Sequence, residues 1–289
     1  DWLDDPQIAF FALISAASAL GFFWRAFTAE EPVVNLRAFA NRNFATGSAF
    51  SFVMGIGLYG LTYLYPVFLA QVRGYSALMI GETMFVSGIA MFLTAPFAGR
   101  LSAKMDPRLM IAIGFLGFGL GTWQASHITA DWDFWELFMP QVLRGVSLML
   151  CMVPITNLSL GTLPIDQLKN ASGLFNVTRN LGGAVGLAII NTILSNRSDM
   201  HAARLAETVT WGRQAAEEGL ATLAQGLSSL GPDAQQAALY ELSQMVSLQA
   251  TVMAFADVFQ VLTVLFVLLV FATPLMRKPG AVPAGAGGH

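Results

Sequence analysis

Long apolar runs separated by short polar connections dominate this sequence of 289 residues. A helix needs about 20 apolar residues to cross a hydrocarbon core of about 30 Å. Seven runs approach this length, over residues 8–27, 45–69, 77–97, 109–125, 135–158, 173–194 and 249–275. The pattern predicts an all-α polytopic membrane protein with about seven transmembrane helices.

The one long connection, residues 195–248, also carries a helical pattern. Leu220, Leu223 and Leu227 recur at helical spacing, and Gly231 and Pro232 then interrupt the pattern. We therefore expect helices outside the membrane here. They would serve either as a cap over the mouth of the bundle or as a docking surface for a partner.

Composition agrees with a membrane protein and excludes several other classes. Only 11% of the residues are charged and 55% are hydrophobic, whereas soluble domains carry about 25% charged residues. A net charge of −3 does not suggest binding to nucleic acid. A single cysteine cannot form a thiolate metal site. The three histidines, His127, His201 and His289, fall in predicted connections or the tail. With no H-E-x-x-H or G-x-S-x-G motif either, we expect no enzyme activity and no metal or cofactor.

Basic residues are distributed unevenly between the two sets of connections, which predicts the orientation. One set holds nine: Arg25, Arg37, Arg42, Arg100, Lys104, Arg108, Lys169, Arg277 and Lys278. The other short connections hold only Arg73, beside Asp1, Asp4, Asp5, Asp131, Asp133 and Glu136. The sequence therefore predicts a cytoplasmic C-terminus, with residue 1 and the long connection outside.

The segments that flank the spans are predicted as follows. Residues 29–43 are expected to form a short amphipathic helix on the cytoplasmic surface or, equally, a solvated linker. Residues 277–289 are rich in small residues and should form a disordered cytoplasmic tail. The chain begins with Asp and enters a span without any signal-like segment. We therefore expect it to be the later part of a longer protein.

Four charged residues lie inside the predicted spans: Glu82, Arg144, Arg179 and Asp257. Such charges cost roughly 2.5–3.5 kcal/mol on insertion scales and usually face a bundle interior or a water-filled cavity. Arg144 and Asp257 each lie about nine residues from the outer end of their span, or roughly 13 Å at 1.5 Å per residue. Equal depth predicts an ion pair or a shared water cavity.

Asp257 and Glu82 are the candidates for reversible protonation, which makes a proton-driven carrier the leading hypothesis. For Glu82 the alternative is an acid at the interface, and for Arg179 it is a clamp on helix backbone. Tyr59, Tyr63, Asn176, Asn180, Phe255 and Phe259 are candidates for lining a substrate cavity, with ordinary packing as the alternative.

Glycines in the sixth span, Gly182, Gly183 and Gly186, allow neighbouring helices to approach closely. They indicate either tight packing or a surface on which helices slide. Pro154 lies inside the fifth span, where it frees a backbone carbonyl for a neighbouring helix or water.

Two motifs carry a resemblance to a known family. Residues 99–108, GRLSAKMDPR, begin with Gly99 and Arg100 and resemble the G-x-L-a-D-r-x-G-r-k loop of the major facilitator superfamily. Ala103 and Asp106 depart from its Asp and second Gly. Residues 170–188, NASGLFNVTRNLGGAVGLA, with LRGV at 143–146 and VPIT at 153–156, resemble the 14-helix EmrB/QacA drug:proton antiporters. The resemblance runs from residue 1 to about residue 276.

That resemblance implies a domain organisation and a mechanism. Residues 1–28 would be the second of two extra linker helices, and residues 44–276 the complete C-terminal six-helix half, so the N-terminal half would be missing. The two halves would export hydrophobic, often cationic compounds by alternating access. A proton gradient would supply the energy, so no cofactor is expected.

The family further implies a bacterial cytoplasmic (inner) membrane as the location. It also implies the lipid bilayer, small hydrophobic substrates, a periplasmic adaptor and an outer-membrane channel as partners. Alternatives to multidrug export remain: an exporter of a specific metabolite, lipid or siderophore, or a membrane channel or scaffold.

Overall fold

A computed structural model of the chain describes residues 5–28, 36–209 and 214–276. Eight α-helices occupy most of this part: α1 Pro6–Thr28, α2 Arg42–Gln71, α3 Ala77–Lys104, α4 Pro107–Ala125, α5 Phe134–Leu160, α6 Ile165–Thr208, α7 Gln214–Gly226 and α8 Ala234–Ala272. Short 3₁₀ helices cover Leu36–Ala40, Ser228–Asp233 and Thr273–Leu275. The described ranges contain no strand, so the prediction of an all-α fold is confirmed.

Local sequence explains where several helices begin. The side chain of Asn41 accepts hydrogen bonds from the first amides of α2, and Asp106 caps α4 with proline at its first position. Asp133 and Glu136 form a reciprocal capping box at the start of α5. These side chains satisfy amides that have no partner inside the helix, which is why each helix starts there.

Six described helices are long and apolar enough to cross a membrane: α1, α2, α3, α5, α6 and α8. The seventh predicted span, residues 109–125, coincides with α4 but does not reach the same hydropathy. Its 19 residues include four glycines, and Arg108 and Gln124 lie near its ends. Nevertheless α4 is well buried, because it packs between α5 and α8.

An aromatic cluster joins α2, α4 and α8. Phe266 of α8 is fully buried and stacks on Phe118 of α4 with ring centroids 4.8 Å apart. Phe115 of α4 packs edge-on against Phe50 of α2 at 5.5 Å. The helix α6 packs against both α2 and α8, and α3 packs mainly against α5. In contrast, α1 has no buried residue.

Two sets of connections define opposite ends of the bundle. At the end that we call the basic end, the Asn41 amide donates to the carbonyl oxygen of Thr162 at 3.3 Å. There the Arg42 Nε donates to the carbonyl oxygen of Leu275 at 3.2 Å. The opposite end, which we call the acidic end, carries the α2–α3 and α4–α5 connections with Asp133.

The last two long helices run beyond the predicted limits of their spans, into the connection where helices were expected. No helix ends at residue 194 or begins at residue 249, because α6 continues to Thr208 and α8 already begins at Ala234. The polar residues beyond 194 contain no glycine or proline that would stop a helix before residue 208. The interruption near Gly231 is present, with φ of 60°.

The flanking predictions are only partly covered by the described residues. Of the segment 29–43, residues 29–35 lie outside them, and the rest forms the 3₁₀ helix Leu36–Ala40 and the start of α2. The predicted tail, residues 277–289, lies entirely outside them.

Candidate functional site

Glycines bring α2 and α6 into close contact. A Cβ added at Gly182 would overlap the backbone of Phe52, and one added at Gly55 would overlap the carbonyl oxygen of Arg179. At Gly186 an added Cβ would lie 2.8 Å from Cγ2 of Ile56. The two backbones therefore approach as closely as glycine allows, and we call this contact the glycine seam.

Polar side chains lie beside the glycine seam on an exposed face of the bundle. The Tyr59 hydroxyl of α2 donates to Oδ1 of Asn180 of α6 at 3.0 Å. One turn further along, the Tyr63 hydroxyl donates to Oδ1 of Asn191 at 2.8 Å. Asn180 and Asn191 are exposed, so these amides remain accessible from the face. We call it the polar face.

Arg144 of α5 lies at the contact between α2 and α5. It is 7% exposed, and its guanidinium donates to Thr62 Oγ1, to Gln141 Oε1 at 3.3 Å and to the carbonyl oxygen of Leu58 at 3.4 Å. Among the described residues, no carboxylate lies within ion-pair distance of it. The buried cation is thus held by neutral acceptors alone.

Arg179 brings a second cation to α6. Its guanidinium donates to Oδ1 of Asn176, one turn earlier on the same helix, at 2.6 Å. It makes no ion pair within the described ranges. Its own carbonyl oxygen faces Gly55 in the glycine seam, while Asn176 is exposed.

Of the two predicted alternatives for Asp257 and Arg144, the direct ion pair is wrong. The carboxylate Oδ2 of Asp257 instead lies 2.9 Å from Nε2 of His201 and 3.6 Å from Nε of Arg197, both on α6. His201 is buried, and the side chain of Asp257 is 28% exposed. His201, which the sequence pattern assigned to a connection, is therefore part of a helix.

The physical reason is a difference in depth along the bundle. Phe255, two residues from Asp257, packs against Phe68 near the end of α2, with centroids 5.5 Å apart. Arg144 reaches Thr62, six positions earlier on α2, or roughly 9 Å along the axis. Asp257 therefore lies closer to the acidic end than Arg144 does.

Two further cavity candidates belong to the core. Phe255 and Phe259 are 0% exposed, because they lie on the face of α8 that packs against Phe68 and Tyr65 of α2. They line no open space in this structure, which corrects the prediction that they contribute to a cavity.

The remaining candidates are scattered over the bundle. Glu82 is exposed on the second turn of α3 and makes no hydrogen bond or ion pair within the described residues. Gly99 and Arg100 are exposed near the end of α3. Pro154 is buried within α5, and Gly183 faces the Tyr59 ring in the glycine seam. The structure thus brings Tyr59, Asn180 and the seam together and leaves Glu82, Gly99 and Arg100 apart.

Polar contacts join the α2–α3 and α4–α5 connections at the acidic end. Arg73 donates to the carbonyl oxygen of Ala130 at 3.2 Å and lies 3.8 Å from the Asp133 carboxylate, which also accepts from the Tyr75 hydroxyl. That hydrogen bond, with the amide of Phe134, lowers the pKa of Asp133. The same bond raises the pKa of Tyr75. The α2–α3 and α4–α5 connections are therefore fastened together.

Sequence reasoning missed several of these residues. Asn191 lies in an apolar run, where a lone amide is itself a signal, and Thr62 and Gln141 lie one turn from named candidates. His201 and Arg197 gave no such signal because they lie beyond the apolar run. Within the described ranges, no group of three His, Cys, Asp or Glu residues is placed to hold a metal ion.

The sequence matches the Major Facilitator Superfamily over residues 6–187. The Colistin resistance protein EmrB of Acinetobacter baumannii is 36% identical over 278 residues, 96% of this chain and 54% of that protein. The Multidrug export protein EmrB of Escherichia coli is 28% identical over 291 residues, covering 100% and 56%. The Fatty acid resistance protein FarB of Neisseria gonorrhoeae is 28% identical over 293 residues, covering 100% and 56%. The chain spans about half the length of the curated relatives it matches.

Proposed function

Because this chain belongs to the Major Facilitator Superfamily, we propose that it forms the C-terminal half of an EmrB-type efflux transporter. Residues 44–276 would supply one six-helix bundle, and α1 a linker helix. The missing N-terminal half would complete a cavity between the two bundles. Proton entry would drive export of hydrophobic, often cationic compounds across a bacterial inner membrane by alternating access.

The polar face is the observation that carries this proposal. Polar groups at membrane depth are retained where they face a bundle interior or a wet cavity. Here Tyr59 and Asn180 are exposed on one side of a bundle whose opposite contacts are packed aromatic rings. A second bundle facing them would enclose a largely apolar cavity with a few placed polar groups, which is the usual form of a small-molecule site.

The first experiment tests this cavity directly. We expect the chain alone to give no substrate accumulation in proton-loaded liposomes, and accumulation to require co-reconstitution with the complementary half. In the assembled transporter, Asn180→Leu should reduce export. The matched control is Ile189→Leu on the exposed apolar face of the same helix. Transport by the chain alone, or equal loss in both variants, would contradict the proposal.

Orientation is tested separately by cysteine labelling. We propose that the acidic end and residues 195–248 lie outside and that the C-terminus is cytoplasmic, as the distribution of basic residues predicts. Ser228 and Gln235 are exposed beyond the bundle. Cysteines placed there in a Cys151→Ser background should react with an impermeant thiol reagent on intact spheroplasts. Reaction only after the membrane is opened would reverse the topology.

The same segment is where we place the periplasmic adaptor, which would lead to an outer-membrane channel. An open groove of about 630 Å³ lies between α7 and the start of α8, lined by Leu220, Ala221, Ala224 and Pro232 among others. Leu220→Asp would place a carboxylate among these apolar side chains. The variant should lose adaptor binding in a pull-down without lowering transport in liposomes. Unchanged adaptor binding would favour the alternative of a simple cap.

A second candidate function is export of amphiphilic carboxylates such as fatty acids. The specific observation is that Arg144 on α5 and Arg179 on α6 have no carboxylate partner in the described part of the chain. A buried cation that lacks a counter-ion favours binding of an anion. One relative is named a fatty acid resistance protein. Arg144→Gln should weaken oleate export more than ethidium export, and the reverse order would favour cationic substrates.

A further inference from the structure

His201, Asp257 and Arg197 form a cluster that the proposed cavity does not use. His201 and Arg197 lie one turn apart on α6, and both point to the same oxygen of Asp257 on α8, at 2.9 and 3.6 Å. The imidazole side chain is 10% exposed, whereas those of Asp257 and Arg197 are 28% and 49% exposed. A nearly buried imidazole thus lies against a partly exposed carboxylate.

We infer that His201 and Asp257 bind one transported proton at the acidic end and that this proton strengthens the contact between α6 and α8. This inference rests on the proposed function and names the residues of its proton site. The proton comes from solvent and bonds to Nδ1 of the imidazole, because Nε2 keeps its own hydrogen in the bond to Oδ2 of Asp257, which stays ionised. When the proton departs, the neutral imidazole keeps a hydrogen bond to Asp257, and Arg197 balances the carboxylate charge.

We assign the added proton to the imidazole because an imidazolium beside a carboxylate forms an ion pair. Imidazoles ordinarily titrate near neutral pH, whereas carboxylates need much more acid solution. Protonation changes the cluster of His201, Asp257 and Arg197 from neutral to a single positive charge. The new attraction between imidazolium and carboxylate acts across two helices, so a local charge change becomes a change in helix contact.

The surroundings of the pair contain few other charges. Among the described residues, Arg197 is the only further charged group within ion-pair distance of Asp257. The packed face of α2 presents Tyr65 on Phe259, and α4 carries only Arg108, at the basic end. Other charges of α6 near His201, such as Asp199 and Arg204, are exposed.

The helix α7, with Glu217 and Glu218, packs near the start of α8. That contact includes Gln235, about six turns from Asp257 along the helix. The carboxylates of α7 are therefore remote from the proton site.

The transport test compares His201→Gln and Asp257→Asn with Arg204→Gln, an exposed substitution on α6 outside the cluster. In liposomes containing the whole transporter, proton-driven accumulation should fall at least about fivefold in the two test variants, the lower end of typical coupling between sites. Substrate counterflow, which needs no proton, should stay at the level of the control variant. Retained proton-driven transport, or equal loss of both activities, would overturn the inference.

A second measurement separates this inference from the proposed function. In the chain carrying His127→Gln and His289→Gln, His201 is the only histidine, so ¹⁵N imidazole resonances report on it alone. The pH dependence of these resonances should differ between this chain and the same chain carrying Asp257→Asn. If the two chains show the same pH dependence, His201 and Asp257 do not form a proton site, even if the transporter works. If the pH dependence changes but the assembled transporter does not transport, the proposed function is wrong, whereas proton binding by His201 and Asp257 is supported.

Discussion

The glycine seam gives the sharpest prediction for the fold, through the substitution Gly182→Ala. A Cβ at this position would overlap the carbonyl oxygen, carbonyl carbon and Cα of Phe52. These are backbone atoms, so no side-chain rotation can relieve the overlap, and α2 must move away from α6. Gly55 on the opposite helix faces the backbone of Arg179 in the same way, so separating the helices opens the seam on both sides.

The expected cost follows from overpacking and from the loss of close contact. Forcing extra methyl groups into a packed interior typically costs about 1–3 kcal/mol. The matched control is Gly173→Ala, also on α6, where an added Cβ meets nothing within 4 Å. Alanine there should be neutral or stabilising by up to about 1 kcal/mol, because it favours helix more than glycine does.

The measurement is reversible unfolding of the purified chain in mixed micelles with increasing dodecyl sulfate, followed by tryptophan fluorescence. We expect Gly182→Ala to unfold at lower denaturant than the parent chain, and Gly173→Ala at the same or higher denaturant. If the two variants had free energies of unfolding within about 0.5 kcal/mol of each other, the close approach of α2 and α6 would be refuted.

Two further predictions concern the acidic end and the aromatic core. The Tyr75 to Asp133 bond should stabilise the fold between about pH 4 and pH 10, because its loss requires pH to fall through the lowered pKa of Asp133 or rise through the raised pKa of Tyr75. Tyr75→Phe should therefore lower the melting temperature at pH 7, relative to exposed Tyr240→Phe, and the difference should shrink as the pH falls through the lowered pKa of Asp133. Phe266→Ala should cost about 3–5 kcal/mol, since the ring is fully buried, whereas Phe271→Ala, at 76% exposure, should cost far less in the same unfolding assay.

Hydropathy predicted the helices well but not their lengths. Every predicted apolar run coincides with a helix, because a backbone in lipid must satisfy its own hydrogen bonds. The ends of α6 and α8 were misplaced because a helix need not stop where the apolar residues stop. Beyond the apolar runs, α7 packs against α8, whose Ala238 is fully buried. Tertiary contact of this kind has no counterpart in a hydropathy profile.

The candidate site was predicted in part, and the error at Asp257 shows why. Tyr59, Tyr63 and Asn180 were named as polar or aromatic residues within spans, and the structure places them together at the glycine seam. Pairing Asp257 with Arg144 relied on depth counted from the edge of an apolar run. The contact between Phe255 and Phe68 places Asp257 near the end of α2, so the depth was overstated. Which residues meet across two helices depends on their rotation, which composition does not encode.

In the proposed mechanism α6 is the helix that connects the two sites. Asn191 on the polar face and His201 in the proton pair are ten residues apart, or roughly 15 Å along one helix. Towards α2 that helix is held by backbone contact at Gly182 and Gly186, which protonation does not alter. Towards α8 it is held at the acidic end by the contacts of His201 and Arg197 with Asp257. The attraction between His201 and Asp257 becomes stronger when His201 binds a proton. A proton bound at the acidic end would therefore change the position of α6 against α8 while its seam with α2 persists. The amides facing the cavity would then respond to a proton that never reaches them.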